Sequence, residues 1–353
     1  MASRGEQVGE TSRFIRRVLI ILSLISLFML AWFLRSVLLM LFGAIVVATI
    51  FRALADRFQS LTKCRPGLAM AAAIIVILGL IAGLVALFGS HVAAQVDILR
   101  DTLPSAWKSL EARMGDYGLG NQIRSIADSA SRGSSFSAFS QTVLSIGNSI
   151  AETLVVIVAG IFLALQPRFY ASGAIKLIPP GKRELLAEAM EECENALQLW
   201  LKGQLIAMVV VGLMTGIGLW WLGLPSAFVL GLLAGLLEFI PFIGPILSMV
   251  PAILLALAVS PDMAFYVLLL YLAVQQFEGN VLTPVVQQYA VDLPGVILLF
   301  SLIAFGLIFG TLGVILAAPL AVVVYVLVKR LYVVEALHTA TPIPGEKKVK
   351  PAN

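Results

Sequence analysis

Glu238-Phe239-Ile240-Pro241-Phe242-Ile243-Gly244-Pro245 interrupts, near its middle, an apolar run covering residues 227–259. Two prolines and a glycine in so short a stretch cannot continue a helix, because proline lacks an N–H and its ring clashes with the carbonyl one turn back. At membrane depth an exposed break would leave backbone polar groups unsatisfied, so the break is either buried in protein or lines a wet cavity. Glu238 stands just ahead of it. A carboxylate near the bilayer centre costs roughly 2.5–3.5 kcal/mol on insertion scales, so its default reading is functional. A broken helix with an acid beside it is the grammar of a secondary transporter.

Working outward, the apolar sequence on both sides of the break divides into pieces of about 14 residues, 227–240 and 246–259, each too short to cross a hydrocarbon core of about 30 Å. A re-entrant helical hairpin is expected, opened by Leu224-Pro225 and closed by Ser260-Pro261-Asp262. Residues 263–277 then cross the membrane. A second hairpin starts at Leu293-Pro294, breaks at Gly310-Thr311-Leu312-Gly313 and ends at Lys329-Arg330. An offset of 69 residues pairs Leu224-Pro225 with Leu293-Pro294, Gly244 with Gly313 and Ile246-Leu247 with Ile315-Leu316. With one crossing helix between them, the hairpins form an inverted repeat, an arrangement common among transporters.

The first break supplies two kinds of helix end. The half-helix ending near Ile240 turns carbonyls toward the gap, and with Glu238 it favours a cation or proton. The half-helix starting at Pro245 offers free N–H groups. Gln275, Gln276, Glu278 and Asn280 follow on the crossing helix, and Thr283-Pro284 lies just beyond. These residues either complete a hydrogen-bonding site for a small polar solute or play a plainer part. In the plainer part, the glutamines satisfy backbone freed by the prolines, and Glu278 and Asn280 sit among headgroups. The candidate solute path is Glu238, Pro241, Gly244, Pro245, Gln275, Gln276, Glu278, Asn280, Thr283, Pro284, Gly310 and Gly313.

Composition sets the class. Hydrophobic residues make up 60% of the chain and charged residues 12%, which excludes an ordinary soluble domain. The expected fold is an all-α integral membrane protein. It has about five full or near-full spans, an N-terminal pair of short helices and the two broken hairpins. The net charge of +4 is small and the basic residues flank apolar segments, so they read as topology signals, not nucleic-acid contacts. Cys64, Cys193, His91 and His338 share no metal-ligand spacing. No glycine loop followed by Lys-Ser/Thr and no nucleophile triad is present, so neither ATP-driven pumping by this chain nor enzyme chemistry is expected, and no cofactor.

From the N-terminus, residues 1–17 form a polar segment expected in the cytoplasm, and 18–90 hold a transmembrane hairpin and a third span. Arg35 divides residues 18–50 into spans of about 16 residues, read as a tight helical hairpin, since one straight helix would measure about 50 Å. Arg52, Arg57, Lys63 and Arg65 around Asp56 form the strongest positive-inside signal, with anionic-lipid binding the lesser reading. Residues 91–142 form an extracytoplasmic segment whose Val92, Val96, Leu99 and Leu103 repeat at helical spacing. Residues 143–166 return. Residues 167–202 carry an amphipathic helix, with Leu186, Met190, Cys193, Leu197 and Trp200 along one seam opposite a glutamate-rich face. It runs into the core at 203–330, where Gly212, Gly216 and Gly218 allow close helix packing. The tail, 331–353, is expected to be cytoplasmic like the N-terminus.

The sequence resembles the autoinducer-2 exporter family, also called PerM-type permeases, over nearly its whole length. The segment Ile240-Pro241-Phe242-Ile243-Gly244-Pro245 and the run from Glu278 to Lys329 carry the resemblance. That run includes Pro284, Leu293-Pro294, Gly310, Gly313 and Ala318-Pro319-Leu320. The resemblance implies a multi-pass protein of the bacterial inner membrane, homo-oligomeric and by family type pentameric, that exports small molecules by moving one domain against another. Members have been assigned to export of the furanone-like signal autoinducer-2, others to sodium/proton antiport. The leading expectation is therefore a secondary exporter of a small polar organic molecule. The alternatives are a sodium/proton antiporter using Glu238 and, in another class, a non-transporting membrane scaffold. Against the scaffold stands the acid, which an inert anchor does not need.

Overall fold

A computed structural model of the chain describes residues 18–86, 150–284 and 293–344, apart from a few single positions. The extracytoplasmic segment, the polar N-terminus and the lysine-bearing tail read from the sequence lie outside these residues. The described elements are helical. They are α1 (Val18–Phe33), α2 (Arg35–Thr62), α3 (Pro66–Leu80), α4 (Ile150–Leu165), α5 (Pro167–Lys176) and α6 (Arg183–Trp221). The broken core follows as α7 (Ala227–Leu237), α8 (Ile243–Val259), α9 (Pro261–Phe277), α10 (Gly295–Ile315) and α11 (Ala317–Leu327). Five described helical runs are long and apolar enough to cross a bilayer. The chain is an all-helical integral membrane protein.

The N-terminal division falls where Arg35 placed it, but the form differs from the expected tight hairpin. Leu38 N–H donates to the Leu34 carbonyl and Leu34 N–H to that of Leu30, both at 2.9 Å, so helical bonding crosses the junction. One residue cannot reverse a chain, and the Arg35 guanidinium packs over the Trp32 ring at 4.6 Å. From there α2 continues for 28 residues to Thr62, carrying Arg52 and Arg57 on its last turns. The chain then reverses at Lys63, whose φ of 52° is left-handed. Ala55 of α2 and Ala69 and Ala73 of α3 are buried together, so these helices pack closely through small residues.

The segment between the α4 span and the core is also rearranged. The chain bends by 91° at Gln166 into α5, and after a short turn at Pro180–Lys182 a single helix runs from Arg183 to Trp221. The amphipathic stretch and the following span are thus one helix of 39 residues, roughly 58 Å long at 1.5 Å per residue. Its buried face includes Ala196, Leu197, Trp200 and Leu201, packed with Leu39 and Val46 of α2 and Ala318, Val322 and Val326 of α11. The opposite face is not simply solvated. Glu188 and Glu192 both engage Arg330, and Glu194 lies 3.4 Å from Arg52, so α6 is tied to α2 and to the π-helical turn Val328–Val334 that follows α11.

The first hairpin is formed. Ala227 and Leu230 at the start of α7 share a buried cluster with Ala252, Leu255 and Ala256 near the end of α8, which places the two antiparallel. The second repeats the device. Gly310 breaks the helical course with φ 68° and ψ −146°, and Gly313 lies where a Cβ would overlap the Phe305 carbonyl. A further kink at Leu316 separates α11. The two hairpins differ in how they are held. Along α7, Gly231 and Gly235 meet Gly212 and Gly216 of α6 backbone to backbone, small residues four apart on both helices. In α10 only Leu302 and Gly313 are buried.

At that crossing a Cβ on Gly231 would overlap the Gly216 backbone, whereas one on Gly79 of α3 would meet nothing within 4 Å. Gly231→Leu should lower stability by about 1–3 kcal/mol or more, as overpacking does, and Gly79→Leu should leave it nearly unchanged. Detergent-unfolding midpoints compare the two; equal shifts would show that the crossing does not hold the hairpin.

Candidate functional site

The tip of the first hairpin folds tightly on itself. Helical bonding from α7 ends with Glu238 N–H on the Ala234 carbonyl at 3.0 Å and Ile240 N–H on that of Leu237 at 2.9 Å. After Pro241, Phe242 takes φ 64°, a conformation that bulky residues adopt only where the surroundings enforce it. Gly244 N–H then donates to the Ile240 carbonyl at 2.8 Å and opens the new helix. Gly244 packs so closely on the end of α7 that any Cβ would overlap the Leu237 carbonyl oxygen. Glycine is required there because backbone occupies the space a side chain would need.

Two residues of α6 fasten this tip. Gln204 donates from Nε2 to the Glu238 carbonyl at 2.6 Å, satisfying a group that the break frees. Trp200 meets the Phe239 ring edge-on at 5.9 Å between centroids. The Glu238 side chain is buried at 2% exposure, and no described N–H or hydroxyl donor reaches its Oε2.

The group that approaches it belongs to the crossing helix. After Phe277 the helix widens into a π-turn, Glu278–Leu282, of the kind often found at functional positions. There the Glu278 carboxyl comes within hydrogen-bonding reach of the Glu238 carboxyl. Gln275 donates from Nε2 to Glu278 Oε2 at 2.6 Å and orients it. An ionised carboxylate only accepts hydrogen bonds, so two carboxyls this close would need a proton or another cation to bridge them. Both acids line a cavity of about 310 Å³. Its walls come from Trp200, Gln204 and Ala207 of α6, from Pro241 and Phe242 at the tip, from Gly279, Leu282 and Thr283, and from Leu293, Gly295 and Leu298 of the second hairpin.

A model of the family described as AI-2E family transporter matches residues 21–332. The chain belongs to that family. Among its relatives is YrrI of Bacillus subtilis, named as a transport protein, 31% identical over 151 residues that cover 43% of each chain. PerM of Escherichia coli, named as a permease, is 26% identical over half of each chain. The AI-2 transport protein TqsA of Escherichia coli is 23% identical over 64% of this chain and 65% of its own. The matched part of this chain spans less than two thirds of each of these relatives. The family is one of membrane transporters.

The structure brings Glu238, Pro241, Gln275, Glu278 and Thr283 of the sequence-read path onto one cavity. Gly244 supports the tip without lining that cavity, and Pro245 sits in the first turn of α8. Gln276 and Asn280 do not face it. Asn280 donates to the Gln276 carbonyl and to its Oε1, at 2.9 and 2.8 Å, on an exposed face. Gly310 and Gly313 form the second break, apart from the cavity, and Pro284 is exposed. Sequence reasoning missed Gln204 as the anchor of the tip and Leu293 and Leu298 as a wall. A lone amide entering an apolar span was the available sign for Gln204.

Gln204→Leu removes the donor to the Glu238 carbonyl and should lower stability by about 1–3 kcal/mol. Gln198→Leu, which loses only an exposed contact to Glu194 at 3.4 Å, should be close to neutral. Unfolding midpoints in detergent separate them, and a neutral Gln204→Leu would mean that the tip finds another donor.

Proposed function

We propose that the protein is a secondary active exporter of a small polar organic molecule, an autoinducer-2-like signal or a metabolite. The observation that carries this reading is the buried Glu238 at the tip of a broken hairpin, opening on a cavity of about 310 Å³ with Glu278, Gln275 and Thr283. A lipid-embedded anchor needs neither the acid nor the break, whereas a transporter needs both at membrane depth. The name of TqsA supports a signal of this kind as cargo. Domain movement follows from the unequal support of the hairpins: α7 is clamped to α6 by glycines, and α10 supplies the less supported wall through Leu298. The assembly is a homo-oligomer, pentameric by family resemblance, in the bacterial inner membrane. Coupling runs through a proton or sodium ion at Glu238, and the carboxyl pair gives the sodium/proton antiporter reading its one specific support.

Both termini and the Arg52–Arg65 cluster face the cytoplasm in this reading. A maleimide reagent applied to intact cells should modify Asp116→Cys and leave Lys350→Cys untouched; the reverse pattern overturns the orientation and with it the export direction.

Flux into proteoliposomes under an imposed proton or sodium gradient tests the mechanism. In Glu238→Gln the response of flux to the gradient should disappear, while solute affinity changes by no more than about 1–3 kcal/mol because glutamine keeps the shape and an acceptor. If gradient response and affinity both match the unsubstituted protein, Glu238 is not the coupling group.

A further inference from the structure

We propose that the cavity takes a small organic cation, a protonated amine, whose ammonium group replaces the proton held between Glu238 and Glu278. The inference rests on the transport reading and narrows its cargo from any small polar solute to a positively charged one.

The donors and acceptors in the cavity point to this choice. One N–H of each lining amide is already engaged, Gln204 with the Glu238 carbonyl at 2.6 Å and Gln275 with Glu278 Oε2 at 2.6 Å. The charged groups on the walls are both acids, and Glu238 Oε2 is buried without a donor. An ammonium supplies three donors and no acceptor. No Lys, Arg or His is among the described lining residues, so an anion would meet two carboxyls and no counter-charge. Of those residues Glu238 and Glu278 alone titrate; α6 contributes Gln204 and Trp200, and the second hairpin contributes Leu293, Gly295 and Leu298. Trp200 and Phe242 add aromatic surface, which attracts an organic cation more than a neutral polyol. The volume, about 310 Å³, is roughly ten times the share of one water in the liquid, which suits an organic body better than a bare metal ion.

The exchange balances. With one proton between them the two carboxyls carry a single negative charge. When the ammonium enters, that proton leaves to the bath, and two carboxylates with one monocation again carry a single negative charge. Proton and amine therefore exclude each other at the pair, and alternate loading of this kind couples two opposite fluxes.

Calorimetric titration of the full chain in detergent with benzylammonium, benzyl alcohol, benzoate and sodium chloride tests it, since the organic probes differ chiefly in charge. Benzylammonium should bind and release about one proton per site, read from buffers of different ionisation enthalpy. Its affinity should fall about tenfold for each unit by which the pH is lowered through the competing range. Glu238→Gln and Glu278→Gln should each abolish proton release and weaken binding roughly tenfold or more, while Glu184→Gln, at an exposed position, behaves as the parent. Monodisperse elution and unchanged helical circular dichroism keep misfolding from mimicking this result. Benzyl alcohol binding as tightly as benzylammonium overturns the proposal, as does proton release by sodium alone with no organic cation bound, or no binding by any probe. Each of those results leaves the transport reading to its own flux assay. Benzylammonium bound with proton release but never carried across a vesicle would keep the site and sink the transport reading.

Discussion

Every backbone N–H and C=O placed in hydrocarbon needs a partner within the protein, and this single constraint shapes the core of the molecule. A helix meets it automatically; a broken helix does not. At the first break the chain satisfies it with a compact turn from Ile240 to Gly244, with a glycine that lets α8 begin directly on the end of α7, and with Gln204 reaching from α6 to the Glu238 carbonyl. These requirements draw α6, α7 and α8 into one packed unit. Glu238 is buried because the tip that carries it is buried.

The long helix α6 is the spine. Its N-terminal half packs apolar residues on α2 and α11 and presents glutamates to Arg52 and Arg330, while its C-terminal half grips α7 through paired glycines. These interactions differ in stiffness. Ion pairs near a surface contribute little to stability and can exchange partners, whereas backbone-to-backbone contact at glycines tolerates almost no displacement. The first hairpin is thereby fixed to the spine. The second hairpin meets the spine through α11, and α10 packs little of its surface. The cavity lies between the fixed tip and Leu293–Leu298, so a shift of the second hairpin would change its shape without disturbing the tip.

The helical period explains why the crossing helix divides its polar residues. Gln275 and Glu278 are three apart and share a face, which the π-turn carries on to Leu282 and Thr283. Gln276 and Asn280 are four apart, share another face and bond to each other. That division was legible in the spacing. Which of the two faces met the break was not, because it depends on how α9 is rotated against α6 and α8. There Val267 and Tyr271 are buried, and Tyr271 donates to the Ser248 carbonyl at 3.1 Å in the first turns of α8.

The sequence alone determined the membrane-embedded helical class, because run lengths and scarce charges leave no other fold. It also determined the two breaks, because proline and glycine act locally, and the glycine-lined crossing, because small residues four apart admit another backbone. It placed the N-terminal pair but not its form, since helical hydrogen bonding crosses the junction and Arg35 packs over Trp32 where a tight reversal was expected. Only the tertiary structure decided that Glu238 and Glu278, far apart in the chain, meet at one cavity, and that Gln204 holds the tip in place. Those contacts depend on how distant helices are placed against one another, and no local propensity encodes that placement.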